Sequence, residues 1–311
     1  MANLINGKLS NEPIAKVSPE GEFQRPDSGF REFPHGVMKD RYHLYVSYAC
    51  PWAHRTLIVR NLKQLQEIID VSVAEPHMGR NGWSFKEERD PKLLAFLYTA
   101  TEKYYTGKVT VPVLWDKKER RIVNNESSEI IRILNHSFDN YTDSAIDLYP
   151  EHLRGKIDEI NHKVYHNVNN GVYKAGFAST QRAYERAYDQ LFKTLDELEN
   201  LLGNQIFLTG PFFMEADVRL FTTLYRFDAV YYSHFKCNKK RIMDYPNLFQ
   251  YLKGIYQLPE VKSTCRMDHI KEHYDKSHEW INPTGIVPKG PEMDLESPHE
   301  RGPVMFWMKN H

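Results

Sequence analysis

The sequence predicts an α/β domain followed by an all-helical one, and three observations carry that reading. A short β-rich run, residues 43–47, leads into Cys50-Pro51-Trp52-Ala53-His54-Arg55, which opens a helix. Strand and helix patterns then follow in the order β-α-β-α-β-β-α as far as residue 137. From Glu151 onward the apolar residues recur with helical period.

Taken in order, residues 1–41 read as an extended arm rich in turn formers, including Pro13, Pro19, Gly21, Pro26, Gly29, Pro34 and Gly36, with no chemistry visible in it. The helix after Cys50 carries Leu57, Ile58, Leu62, Leu65, Ile68 and Ile69 at helical spacing, which takes it to about Ile69. Pro51 suits its first turn, where a missing N–H costs nothing. Cys50 therefore falls at a strand-to-helix junction, beside open backbone N–H groups and the positive end of a helix dipole. That setting stabilises a thiolate, the nucleophilic form of cysteine. The fourth position of the motif is Ala53, so Cys50 has no neighbouring thiol to release a mixed disulfide, and a second thiol must come from solution. The bland alternative is a buried, inert cysteine.

A second short strand covers residues 71–74, giving a parallel βαβ unit. In the loop at residues 77–85, Trp83 is either a ring presented to a ligand or a plug that packs the loop down. Residues 91–105 read as helical. Residues 109–115 form a strand interrupted by Pro112, which places the proline at a strand start or edge. A charged turn at 116–120 and a strand at 121–123 complete a hairpin. Asn124-Asn125-Glu126-Ser127-Ser128-Glu129 then opens a helix over 127–135. These polar residues are either caps alone or a recognition site, with Ser127 and the helix N-terminus holding a carboxylate and Glu126 an ammonium. This element order, with Cys at the first helix and Pro ahead of the third strand, is the thioredoxin-like pattern. The domain is set at residues 42–145, with a linker over 138–150.

The helical domain spans residues 146–311. Its clearest element is residues 180–202, with Ala183, Tyr184, Ala187, Tyr188, Leu191, Phe192, Leu195, Leu198, Leu201 and Leu202 on one stripe, Thr180 as N-cap and Gly203 as terminator. Further helices are placed at 215–232, 246–257 and 261–277, followed by a Pro/Gly-rich tail from Asn282.

Composition narrows the partners. The chain has 311 residues, and its 41 Lys+Arg balance 41 Asp+Glu, so no overall field favours nucleic acid or an anionic membrane. No apolar run is long enough to cross a bilayer, and no secretory leader is visible at the start. Three cysteines, Cys50, Cys237 and Cys265, without framework spacing fit a reducing, cytoplasmic setting. His162/His166 and His269/His273 sit at i, i+4, a spacing that ligates zinc only when a third ligand converges.

A thioredoxin-like domain followed by a helical one resembles the cytosolic glutathione transferases. Closer matches are C-P-W-A-H-R at 50–55, N-G-W-S-F at 81–85, V-T-V-P-V-L-W-D at 109–116 and N-E-S-S-E-I-I-R at 125–132. In the second domain they are N-N-G-V-Y-K-A-G-F-A at 169–178, R-F-D-A-V-Y-Y-S-H-F-K-C at 226–237, D-Y-P-N-L at 244–248 and H-Y-D-K-S-H-x-x-I-N-P-T-G at 273–285. Together these resemble the xi class, the glutathionyl-hydroquinone reductases, across nearly the whole chain after residue 25.

The resemblance implies glutathione as co-substrate and a homodimer, while the residues themselves point to no metal and to no nucleic-acid or membrane partner. It implies Cys50 as nucleophile. Val109, Thr110 and Val111 would bind the glutathione backbone, with Val111 pairing the cysteinyl part ahead of a cis Pro112. Glu126 and Ser127 would hold the γ-glutamyl ammonium and carboxylate. Trp83 would contact the other end, with Lys108 near the glycyl carboxylate. Tyr173, Tyr231 and Tyr274 would surround the second substrate; on their own residues they read as core or interface. One departure concerns folding: Met214 stands where transferases usually carry Ser or Thr three residues before Asp217, which predicts a lost capping-box bond worth about 1 kcal/mol. Two other readings stay open, an omega-like thioltransferase or dehydroascorbate reductase, which needs the cysteine but not the tyrosines, and a non-catalytic transferase-like binding module.

Overall fold

The computed structural model describes residues 3–10 and 17–309; the rest of the arm, including Pro13, and residues 310–311 lie outside the described residues. The chain divides into two compact units. The first comprises Arg25–Ser144 and Arg266–Val287 with the described part of Met1–Lys16, and the second comprises Val17–Gln24, Ala145–Cys265 and Pro288–His311.

The first unit is built on a four-stranded sheet of β3 (Tyr42–Val46), β4 (Asp70–Val73), β6 (Val113–Asp116) and β7 (Arg121–Asn124), in the order β4-β3-β6-β7. β3 runs parallel to β4 and antiparallel to β6, and β6 runs antiparallel to β7. This is the thioredoxin-like topology. Every residue of β3 is buried, as a central strand covered on both faces requires. Helices α1 (Pro51–Leu62), α2 (Ala95–Thr101) and α3 (Ser127–His136) complete the layer arrangement, with α1 packed on α3. The Val111–Pro112 peptide bond is cis.

Three expectations for this unit are corrected. α1 stops at Leu62 rather than near Ile69, because Gln64 takes a left-handed backbone (φ 52°) that no helix continues through. Leu65, Ile68 and Ile69 are buried all the same, which is why they kept the apolar spacing of a helix. The arm is not merely extended: β1 (Asn3–Ile5) and β2 (Lys8–Ser10) form a hairpin across Asn6-Gly7, both at positive φ as a two-residue hairpin turn needs. β1 also pairs with β5 (Gly107–Lys108). Finally, residues 266–287 pack with the first unit, although the sequence reading gave the helical domain everything after 145.

The second unit holds α4 (Arg154–Val164), α5 (Gly171–Gly176), α6 (Gln181–Asn204), α7 (Glu215–Arg226), α8 (Pro246–Tyr256) and α9 (Pro259–Lys262), while α10 (Met267–Ser277) belongs to the first. Thr180 caps α6 by accepting the Ala183 N–H (3.2 Å). Gly203 does not end α6. It admits a close neighbour, since a Cβ there would meet the Asn247 side chain at 3.2 Å. The single helix expected over 261–277 is two, α9 and α10. At the break Thr264 turns both its N–H and its hydroxyl onto the Val261 carbonyl (2.9 and 2.6 Å), an i−3 pattern that leaves the α ladder.

The capping expectation at Met214 is also corrected. The Asp217 carboxylate accepts the Met214 N–H (2.8 Å), so the bond from the acidic half of the box is kept. Asp217 further accepts the Leu208 N–H (3.0 Å) and the Tyr251 hydroxyl (2.8 Å), tying α7, α8 and the loop before α7 together. Burial pushes this carboxyl up, to about 6, against those three bonds.

Candidate functional site

β3 delivers the chain to Cys50, and Pro51 starts α1 immediately after it. Cys50 is the N-cap residue, in extended backbone and half-buried, and none of the three cysteines is in a disulfide. Its Sγ lies 3.6 Å from the Val111 carbonyl oxygen, so the cysteine and the residue before the cis proline are brought together. Thr110 is held differently from its neighbours. Its N–H donates to the Tyr98 hydroxyl (3.1 Å) and its carbonyl accepts from it (2.8 Å). The same hydroxyl accepts from the Asn125 amide (3.0 Å). The strand expected over 109–115 starts only at Val113, after the cis proline, so one tyrosine locks the irregular segment carrying Val109, Thr110 and Val111 to the residue before Glu126.

Glu126 is the N-cap of α3 and Ser127 its first residue. Glu126 Oε1 accepts from the Ser128 N–H (3.1 Å) and hydroxyl (2.8 Å), and Oε2 accepts from the Ser28 hydroxyl (2.9 Å). Burial works against this carboxylate, yet the Ser128 and Ser28 hydrogen bonds and the Arg55 charge outweigh it and hold it below the usual range. Three of about four acceptor positions are used, which leaves room for one more donor. The capping and recognition readings of this helix start are therefore compatible.

Arg55 connects the two helix starts. It is 1% exposed, its guanidinium lies over the Trp52 ring (4.5 Å to the centroid), and Nη1 donates to Ser127 Oγ (3.4 Å). Arg25 from the arm lies over the same ring (4.8 Å). Burial, with Arg25 nearby, brings the Lys108 ammonium down to about 8.

Trp83 packs down. It is 6% exposed and stacks on His273 of α10 (4.8 Å, 22°). His273 Nδ1 lies 3.0 Å from the Pro76 carbonyl oxygen, and His269 meets the Tyr48 ring edge-on (5.5 Å). The i, i+4 histidines of α10 thus dock that helix on the loops either side of Cys50. His162 and His166 lie ring to ring at 4.4 Å. Among the described residues no group of three His, Cys, Asp or Glu side chains converges as a metal site. Among them, too, no helix is long and apolar enough to cross a membrane.

Tyr274 lies on α10 in the first unit, buried and edge-on to His273 and His278. Tyr173 and Tyr231 come together in the second unit, with ring centroids 6.0 Å apart beside Phe235 and Phe177. Each follows or ends a π-helical turn, at Tyr165–Asn169 and Phe227–Tyr231. Such widened turns recur at functional positions, and no apolar spacing announces them.

Sequence reasoning missed Tyr98, Ser28, Arg25 and the bridging place of Arg55. Asn125 and Arg55 stood inside motifs already singled out, so their positions were marked. Tyr98 and the arm residues carried no local signal, because their partners are distant in sequence.

Two family models match the chain, the glutathione S-transferase N-terminal domain over residues 49–137 and the glutathione S-transferase C-terminal domain over residues 181–254. The chain is 49% identical to the glutathionyl-hydroquinone reductase YqjG of Escherichia coli, covering 97% of this chain and 98% of that one. It is 51% identical to the glutathionyl-hydroquinone reductase PcpF of Sphingobium chlorophenolicum, covering 95% and 98%. The glutathione-bound structure of YqjG superposes with a TM-score of 0.86 at 48% identity, over 96% of this chain and 98% of that one. The xi glutathione transferase of Phanerochaete chrysosporium gives a TM-score of 0.88 at 49% identity, over 92% and 97%.

Proposed function

The chain belongs to the xi-class glutathione transferases, and from that premise we propose that it is a glutathionyl-hydroquinone reductase acting through Cys50. Glutathione is its co-substrate, as it is bound in the solved YqjG structure and named in the reductases above. The observation that carries the reading is the meeting of a helix-starting cysteine, the Val111 carbonyl at 3.6 Å and a hydrogen-bonded acidic cap at Glu126 in one unit. A thiol at an α-helix N-terminus is stabilised as thiolate by the N–H groups and dipole there.

In this reading the Cys50 thiolate attacks the sulfur that joins glutathione to the hydroquinone ring. The new bond is Cys50–S–S–glutathione. The bond between sulfur and ring carbon breaks, and its electron pair stays on the carbon, which takes a proton to become C–H. A phenol such as Tyr173 supplies that proton, and Tyr231 and Tyr274 donate hydrogen bonds around the reacting groups. A second glutathione thiolate then attacks the mixed disulfide, giving glutathione disulfide and restoring the Cys50 thiolate. Glutathionyl-hydroquinone and glutathione become hydroquinone and glutathione disulfide, so the two-electron reduction balances. Ala53 makes the second glutathione obligatory.

The roles at the co-substrate follow the same reading. Val111 pairs the cysteinyl backbone with Val109 and Thr110 shaping the segment ahead of β6, Glu126 and Ser127 hold the γ-glutamyl end, and Trp83 and Lys108 take the other end. A homodimer in the cytoplasm completes it. The test is turnover of a glutathionyl-hydroquinone with glutathione in excess. Stoichiometric hydroquinone and glutathione disulfide support the proposal. Reduction of a protein–glutathione mixed disulfide without any action on the hydroquinone conjugate would favour an omega-like thioltransferase instead.

A further inference from the structure

The arm before β3 meets the candidate site at two places. Residues 28–32 run antiparallel along β7 and the start of α3. Asn125 N–H donates to the Phe30 carbonyl (2.9 Å), Phe30 N–H donates to the Asn125 side chain (3.0 Å), and Glu32 N–H donates to the Val123 carbonyl (3.0 Å). Arg31 adds a salt bridge to Glu129 in the first turn of α3. This segment holds Ser28 with its hydroxyl on Glu126 Oε2 (2.9 Å) and also 3.4 Å from the Asn125 carbonyl. Three residues earlier, Arg25 lies against Trp52, two residues past Cys50. The hairpin at the start of the arm pairs Asn3 with Lys108.

We propose that the arm is a working wall of the glutathione site: Ser28 is a positioning residue that fixes the Glu126 carboxylate for the γ-glutamyl end, and Arg25 adds a second cation, beside Lys108, for the glycyl carboxylate. The inference rests on the reading of Glu126 and Lys108 as glutathione ligands. Its physical basis is geometric. Glu126 Oε1 is fixed by the Ser128 cap, but a carboxylate held through one oxygen still turns about that contact. The Ser28 bond to the other oxygen removes the turn, so the remaining acceptor position is set before the ligand arrives. At the other end, the Arg25 guanidinium held over Trp52 adds its charge and its forked donors to the Lys108 ammonium for recognition of a carboxylate.

The test is equilibrium binding of three thioether probes that cannot react with Cys50: S-methylglutathione, S-methyl-γ-glutamylcysteine, which lacks the glycyl end, and S-methylcysteinylglycine, which lacks the γ-glutamyl end. Ser28→Ala weakens the two γ-glutamyl probes about ten-fold, as loss of a charge-assisted hydrogen bond predicts, and leaves S-methylcysteinylglycine unchanged. Ser28→Thr, which keeps the hydroxyl, binds all three as the wild type does. Arg25→Ala shows the converse pattern and spares only S-methyl-γ-glutamylcysteine. Equal losses across all three probes would reduce the arm to a structural support and overturn the proposal, as would no loss at all. Wild-type protein that binds S-methylglutathione but does not turn over the hydroquinone conjugate would sink the reductase reading alone. Wild-type protein that binds none of the probes would sink both.

Discussion

Cys237 and Cys265 lie in the second unit, where burial pushes both thiols up, Cys265 to about 12. Neither ionises near neutral pH, so each behaves as a small apolar side chain. Cys50 alone is an α-helix N-cap, ahead of a proline that leaves the first turn's remaining N–H groups pointing at it. The distinction between three identical side chains is made by where the backbone puts them. The same logic gives Lys108 a pH signature. Its ammonium, brought down to about 8 by burial with Arg25 nearby, loses charge as pH rises through that value, whereas an ordinary lysine keeps it to about 10.4. A carboxylate held by Lys108 is then released early. The Kd of S-methylglutathione is predicted to rise between pH 7 and 9 in the wild type, and to rise less in Lys108→Arg, whose guanidinium stays charged. Isothermal titration at both pH values checks this, and parallel curves for the two proteins would remove Lys108 from the glycyl end.

Individual elements show what packing adds to pattern. The start of α3 was legible because Glu126, Ser127 and Ser128 are caps by residue type, and the structure places Glu126 as N-cap with Ser128 bonded to it. The end of α1 was not legible, since Leu65, Ile68 and Ile69 are buried from a non-helical connector that happens to share the helical spacing. Gly203 read as a terminator by type, but its small size serves the approach of Asn247 from α8, a contact no local window contains. Asp217 is the sharpest case. The missing hydroxyl at Met214 suggested a weakened start to α7, yet Asp217 is fully buried and receives three hydrogen bonds. Asp217→Ala leaves two backbone N–H groups and the Tyr251 hydroxyl without their acceptor. At about 1–3 kcal/mol for a buried unsatisfied group, with partial rescue by relaxation, the loss is on the order of 3 kcal/mol. Denaturant unfolding followed by a probe in the second unit measures it. A loss below about 0.5 kcal/mol, the scale of a neutral surface change, would show that Asp217 is not the tie between α7 and α8.

For the molecule as a whole, the succession of strands and helices along the chain followed from the sequence because hydrophobic period reports which face of each element is buried. The division into units did not. α10 carries an ordinary amphipathic pattern, and its tertiary contacts, among them His269 on Tyr48 and His273 on Trp83, place it with the cysteine-bearing unit. The arm was opaque for the same reason: Ser28 and Arg25 act through residues about a hundred and about thirty positions away. The proposed homodimer is checked by sedimentation velocity, which should give a particle of two 36.7 kDa chains; a single chain at micromolar concentration would exclude it. The central claim, that Cys50 takes glutathione from a ring carbon, is tested most directly by intact-protein mass spectrometry. The protein is mixed with a glutathionyl-hydroquinone in the absence of added glutathione, so that only the first half-reaction can run. The wild type should gain one glutathionyl group on Cys50 and release one equivalent of hydroquinone, and Cys50→Ser should do neither. Hydroquinone release without a Cys50 adduct, or an undiminished yield from Cys50→Ser, would contradict the account.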